Sequence, residues 1–205
     1  MKIGLFGGTF NPIHLGHLRG AEEVRENFSL DKIIFIPSGV PPLKTEGVIE
    51  GIHRLRMVEA AVKGNPFFEV SDYEIQIKGP SFTLNTLFFF KKLYEQHTLF
   101  FIMGVDSFME LHKWHRPEEI LKMIDLIVMS RPGYKKIRQG KFIEGSDGEN
   151  CFRIKNSDKK VYYLPISPFA FSSTKLRELV KSGKSIRYLV PEVVFEYIKE
   201  KKLYC

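Results

Sequence analysis

Apolar residues fall in short continuous runs along this chain, and between the runs they recur with helical spacing. Residues 2–6 open it with such a run. Leu18, Ala21, Val24 and Phe28 then return every three or four positions, which predicts a helix starting near His14 or Leu15 with one apolar face. Ile33, Ile34, Phe35 and Ile36 are continuous rather than alternating, as in a strand covered on both faces. Pro37, Gly39, Pro41 and Pro42 break that run. Helical patterns follow over 53–62, 83–94, 117–123, 173–181 and 191–199, and strand patterns over 67–70, 73–77, 99–103, 126–129 and 161–164. Pro117 and Pro191 stand at helix starts, and Gly183 follows a helix end.

Strand followed by helix, repeated, predicts an α/β fold: an open parallel sheet with right-handed crossovers and helices on both faces. The two closing helical patterns form a small C-terminal helical part, and residues 1–205 read as a single domain. Residues 133–160 stand apart. They are polar, carry Gly140, Gly145 and Gly148, and have little periodicity, so they read as a long surface excursion, in part a mobile hairpin.

Composition adds limits. Hydrophobic residues make up 43% and charged residues 27%, an ordinary globular balance that needs no disulfide staples. Cys151 and Cys205 lie in no C-x-x-C motif and read as free thiols in a reducing compartment. The N-terminal apolar run is too short for a signal peptide, and none approaches the roughly 18 residues of a membrane helix. The expectation is a cytoplasmic protein without membrane contact. The net charge of +7 suits an anionic partner. The basic clusters at 135–138 and 199–202 are short and lack interleaved aromatics, so they read as solvated surface rather than a nucleic-acid site.

The stretch GGTFNPIHLGHL, residues 7–18, follows the first strand directly. In a parallel sheet the loop after the first strand is the usual phosphate cradle. Gly7 and Gly8 let backbone N–H groups approach an anion, and the helix behind them aims its positive end at the same place. His14 and His17 share one face of the first turn, with Gly16 leaving room between them. The dinucleotide fingerprint, the Walker pattern and H-E-x-x-H are all absent. Three readings of the pair stand: donors to phosphate oxygens, which is favoured; a zinc pair whose third ligand cannot be placed; and structural packing.

With these residues quoted, a resemblance becomes visible. GGTFNPIHLGH resembles the signature of nucleotidyltransferases carrying an (H/T)-x-G-H motif, and FSSTKLR, residues 171–177, resembles their second signature, I-S-S-T-x-x-R, with Phe171 in place of isoleucine. Within that superfamily the chain resembles the bacterial nicotinate-nucleotide adenylyltransferases over nearly its full length. IPSGVPPLK, GPSFTLNT, FFIMGVDSF, HKWHRPEEIL, SRPGY and YLVPEVVFEYI are each similar to a segment of that family. His115 departs from the family's frequent tyrosine.

The resemblance implies a Rossmann-like sheet and adenylyl transfer from ATP to nicotinate mononucleotide. The nucleophile would be a phosphate oxygen, already ionised at neutral pH, so catalysis would rest on positioning and charge stabilisation. It further implies roles. His17 would donate to the α-phosphate; His14, Lys44 and Arg177 would hold ATP phosphates. Gly7, Gly8, Thr9 and Phe10 would line the ATP site, with Ser173 and Thr174 adding donors and Gly104 and Asp106 reaching the ribose. For the acceptor, Trp114 would stack on the pyridine beside His115, Thr83 would meet the carboxylate, and Arg131 with Lys44 would take the phosphate. Mg2+ would bridge the phosphates through water and phosphate oxygens, with no dedicated metal site in the protein. His53 and Arg54 have weaker claims on the acceptor, and His97 and His112 read as surface residues. The implied partners are ATP and nicotinate mononucleotide, with no nucleic acid and no membrane; oligomeric state stays open.

Rival readings differ in the acceptor or in class. A related adenylyltransferase would use phosphopantetheine or nicotinamide mononucleotide. An aminoacyl-tRNA synthetase should be longer and carry a K-M-S-K-S loop. A nucleic-acid-binding module leaves both phosphate motifs unexplained.

Overall fold

The structure is a computed structural model and describes residues 1–43, 46–130 and 142–205. Eight strands form one sheet among the described residues: β1 (Lys2–Gly8), β2 (Lys32–Pro37), β3 (Phe68–Val70), β4 (Thr98–Gly104), β5 (Asp125–Ser130), β6 (Ile143–Ser146), β7 (Cys151–Ile154) and β8 (Lys160–Pro165). Their order across the sheet is β3-β2-β1-β4-β5-β8-β7-β6. The first six in that order run parallel, and β7 and β6 then return antiparallel. The helices are α1 (Leu15–Phe28), α2 (Gly51–Val62), α3 (Tyr73–Gln76), α4 (Thr83–Leu93), α5 (Val105–Met109), α6 (Pro117–Met123), α7 (Ser173–Lys181) and α8 (Glu192–Glu200).

Strand periodicity explains the continuous apolar runs. Ile3 and Leu5 of β1, with Ile34 and Ile36 of β2, pack on one face against Leu84, Leu87 and Phe90 of α4 and Ile120 and Leu121 of α6. The residues between them, Phe6, Ile33 and Phe35, face the other way onto Ala21 and Val24 of α1, Met57 and Val58 of α2, and Leu176, Val194 and Ile198 of α7 and α8. Both faces are buried, so every position of a central strand must be apolar. Parallel crossovers leave the carboxyl ends of β1, β2, β4 and β5 on one rim, where the crevice of such a sheet forms.

The structure corrects two expectations. Residues 73–77, read as a strand, hold the one-turn helix α3. Five residues are too few to separate the two periods, and the residue turned inward is Glu74, whose carboxyl accepts a hydrogen bond from the Thr86 hydroxyl at 2.6 Å. The 133–160 excursion is more than surface. Strands β6 and β7 lie within it and extend the sheet, burying Ile143, Phe152 and Ile154 in the first core. Its earlier part, up to residue 141, lies outside the described residues. No helix among the described residues is long and apolar enough to cross a membrane.

Candidate active site

The turn after β1 is shaped by close packing. Phe10 adopts a left-handed conformation (φ 47°), and its ring folds back over Gly8, where an added Cβ would lie 2.9 Å from the ring. Phe10 also meets the rings of Phe6 and His17 edge-on, at 5.3 and 5.2 Å. A side chain at position 8 would push Phe10 out and open the turn.

His14 and His17 cap α1 reciprocally. His14 is the N-cap; its Nδ1 accepts from the His17 backbone N–H, and the Nδ1 of His17 accepts from the His14 backbone N–H, both at 3.3 Å. Imidazole nitrogens here take the part usually played by a hydroxyl and a carboxylate. The two rings stack 3.7 Å apart, nearly parallel at 17°. With each Nδ1 accepting, the ring proton of each histidine sits on Nε2. The cap thus fixes the tautomer that makes Nε2–H a donor. Both residues line the large cavity on the sheet's carboxyl rim.

That cavity encloses about 760 Å³. Gly7, Gly8 and Thr9 form one wall, Gly104 and Asp106 another, and Ser173, Thr174 and Arg177 of α7 a third. A second cavity, about 360 Å³, lies on the other side of the β1 turn and is lined by Ser38, Glu74, Ser81, Thr83, Trp114 and His115, among others. The two share Gly7, Gly8, Thr9, Leu43 and Ser107 as common wall. Two ligands bound there would meet over the β1 turn, beside the histidine pair.

Comparison with known proteins bears on this arrangement. A family model described as Cytidylyltransferase-like matches residues 5–179. A relative from Desulfitobacterium hafniense, named "Probable nicotinate-nucleotide adenylyltransferase", is 44% identical over 204 residues, covering 99% of this chain and 95% of its own length. One of the same name from Caldicellulosiruptor bescii is 41% identical over 212 residues, covering 100% and 99%. The chain belongs to the nicotinate-nucleotide adenylyltransferase family. Two solved structures of the Plasmodium falciparum nicotinic acid mononucleotide adenylyltransferase, one complexed with NaAD and one with APC, share the fold. Their TM-scores are 0.79 and 0.76, at 19% and 18% identity, and each alignment covers 99% of this chain.

In this family member the residues expected to hold ATP gather around the larger cavity. Gly7, Gly8, Thr9, Phe10, His14, His17, Gly104, Asp106, Ser173, Thr174 and Arg177 all line it. Two have further tasks. The Ser173 hydroxyl donates to the Pro12 carbonyl (2.9 Å) and Arg177 Nη1 to the Asn11 carbonyl (2.9 Å), so α7 is clamped to the β1–α1 turn. While that bond holds, the Ser173 proton points to the Pro12 carbonyl. The α7 N-cap is Ser172, whose side chain accepts from the Lys175 N–H.

The residues expected at the acceptor gather around the smaller cavity. Trp114 is half-buried, its ring edge-on to Phe101 at 6.3 Å. His115 stacks on Phe82 at 4.5 Å, and Thr83 follows Phe82 at the start of α4. Lys44 and Arg131 lie outside the described residues.

Other residues frame the two cavities, most of them from outside. Arg54, given a weak claim on the acceptor, lines neither cavity; it is wholly buried in α2 and bonded to the loops behind them. His53 does not reach the site either: its Nδ1 pairs with the Tyr197 hydroxyl at 2.8 Å, joining α2 to α8. Asn11 joins the β1 turn to residues 47–49 through the Gly47 carbonyl (2.8 Å) and receives the Tyr204 hydroxyl (2.9 Å). Burial pushes the Tyr204 phenol above its ordinary value, so it stays a proton donor to Asn11. His97 is not a plain surface residue: it is half-buried, with a buried Nδ1 at the opposite end of the sheet.

Behind the smaller cavity runs a buried polar chain. Ser81 Oγ accepts from the backbone N–H of Gly39 (2.8 Å) and of Val40 (3.2 Å). The same hydroxyl and that of Thr86 bond the Glu74 carboxyl. Burial raises the Glu74 pKa above its ordinary value, against the opposing pull of those two hydroxyls and the Arg54 charge. Gly39 has no room for a side chain, since a Cβ there would lie 2.0 Å from the Glu74 carbonyl oxygen.

Proposed function

We propose that this chain transfers the adenylyl group of ATP to nicotinate mononucleotide, giving nicotinate adenine dinucleotide and pyrophosphate. The observation that carries the reading is the pair of cavities sharing the β1 turn as wall, with two histidine donors beside it. ATP fits the larger cavity, its α-phosphate near His17 and its ribose near Asp106. The acceptor fits the smaller one, its pyridine on Trp114 and its carboxylate near Thr83.

An oxygen of the acceptor phosphate attacks the α-phosphorus, and the bond from that phosphorus to the bridging oxygen of the β-phosphate breaks. Pyrophosphate leaves with that electron pair. The attacking oxygen is already ionised, so no proton is removed and no base is required. The Nε2–H of His17, held in its tautomer by the cap, stabilises charge growing on the α-phosphate oxygens. His14, Arg177 and the backbone N–H groups of the β1 turn hold the remaining phosphates. A magnesium ion arriving with ATP would neutralise phosphate charge in the larger cavity, which Asp106 also lines.

The NaAD named in one of the fold neighbours' complexes supports this product class. A cytoplasmic setting is supported by the free thiols of Cys151 and Cys205. The test is pyrophosphate release with ATP and magnesium, offering nicotinate mononucleotide, nicotinamide mononucleotide and phosphopantetheine separately. Release with the nicotinate form alone is expected. Release only with another acceptor would refute the acceptor assignment, and silence from folded protein with all three would refute the reaction.

A further inference from the structure

A cation buried in a protein interior is costly unless its donors are used. Arg54 is 0% exposed, yet its hydrogen bonds run to carbonyl and hydroxyl oxygens rather than to a carboxylate. Nη1 donates to the Thr9 carbonyl at 2.8 Å and reaches the Ser38 hydroxyl at 3.4 Å. Nη2 donates to the Gly39 carbonyl at 2.7 Å, and Nε to the Ile49 carbonyl at 3.0 Å. Burial lowers its pKa, opposed by the nearby Glu74 carboxyl.

These partners belong to two connections: Thr9 to the β1–α1 turn, and Ser38, Gly39 and Ile49 to the two ends of the β2–α2 loop. Thr9 is in the turn whose wall both cavities share. Ser38 lines the acceptor cavity and precedes Gly39. Ile49 follows Val48, which lines the ATP cavity. One planar group therefore sets the spacing between the wall of one substrate and the wall of the other. Its fork shape suits this, because its donors leave in fixed directions.

We propose that Arg54 is a positioning residue for adenylyl transfer: it couples the two half-sites and sets the approach of the acceptor phosphate to the α-phosphorus. The proposal rests on the reaction proposed above. It touches neither substrate. It acts through the Thr9, Gly39 and Ile49 carbonyls, so its removal should leave each substrate able to bind but misaligned with the other. Misplacement by about 1 Å can cost roughly 100-fold in rate.

The experiment is steady-state kinetics of Arg54→Lys, with wild type measured first using each acceptor. Lysine keeps the charge but offers one nitrogen, which cannot reach the Thr9, Gly39 and Ile49 carbonyls together. The expected result is a kcat lowered roughly 10- to 100-fold, with KM for ATP and for the acceptor each within about threefold, in a variant that melts cooperatively. A kcat within twofold of wild type would overturn the proposal. So would KM increases that account for the whole loss, since Arg54 would then only shape the binding walls. If Arg54→Lys does not fold, Ser81→Ala frees the Gly39–Val40 backbone without disturbing the cation. It should lower kcat while leaving KM for ATP unchanged, and an unchanged kcat would overturn the proposal there. Wild-type turnover with an acceptor other than nicotinate mononucleotide would sink the reaction proposed above, while the Arg54 test would be read with that acceptor.

Discussion

His17→Ala separates the structural and chemical work of one ring. The ring caps α1 by accepting the His14 N–H at 3.3 Å and stacks on His14 at 3.7 Å. Losing a helix cap costs about 1 kcal/mol. For a chain of this length that is a fall in Tm of roughly 2–4 °C. Even from a modest starting stability of about 5 kcal/mol, only about one molecule in a thousand would be unfolded at 25 °C. Loss of a preorganised donor to a developing oxyanion costs roughly 10²–10³ in kcat, or about 2.7–4 kcal/mol. The chemical loss therefore exceeds anything unfolding can supply. The assay is the initial rate of pyrophosphate release at saturating ATP and acceptor, with a melting curve on the same preparation. The expected pattern is a kcat lower by two to three orders of magnitude, a small change in KM for ATP, and a Tm a few degrees lower. A kcat within threefold of wild type would remove His17 from the chemistry, whatever the melting curve did.

Two more predictions concern the buried chain behind the acceptor cavity. The Glu74 pKa in the folded state lies above its ordinary value of 4.5. The folded protein therefore holds that proton to higher pH than the unfolded chain, and the stabilisation is complete below about pH 4.5 and lost as pH rises through the folded value. Glu74→Gln should accordingly gain stability relative to wild type as urea unfolding is moved from pH 4 to pH 8; a difference that stays flat across that range would contradict the assignment. Gly39→Ala would drive a Cβ to 2.0 Å from a backbone oxygen that cannot rotate away. It should cost roughly 1–3 kcal/mol and raise KM for the acceptor more than for ATP, and unchanged values of both KM and Tm would show that the loop can yield.

The layout of the β1 turn was legible because it is local. Gly7, Gly8, His14 and His17 lie within one turn, and their spacing alone puts both imidazoles on one face of α1. The central strands were legible because burial on both faces forces continuous apolar runs. The part Arg54 plays was not read from the sequence, because its partners are backbone carbonyls of the β1–α1 and β2–α2 loops, which no side-chain motif records. A signal did exist: Arg54 shares the α2 face of Met57 and Val58, both wholly buried, and a charge on an apolar face must find partners inside. A hairpin within 133–160 was read from the sequence, but that its strands β6 and β7 extend the sheet was not, for another reason. Each strand has four residues, the register shifts between Ile143 and Gly145, and the surrounding sequence is polar.

That hairpin also bears on how copies of the chain behave in a crowded solution. Strand β8 carries six residues and pairs with β5 along one side; without β7 its other side would be a row of open backbone groups, a template for another molecule's strand. Instead, among the described residues, the sheet is finished by β6, only four residues long and irregular in register, and at the far side by β3, three residues long. Both margins are too short to recruit a foreign strand efficiently. The polar stretch that carries β6 and β7 thus also guards the sheet against aggregation.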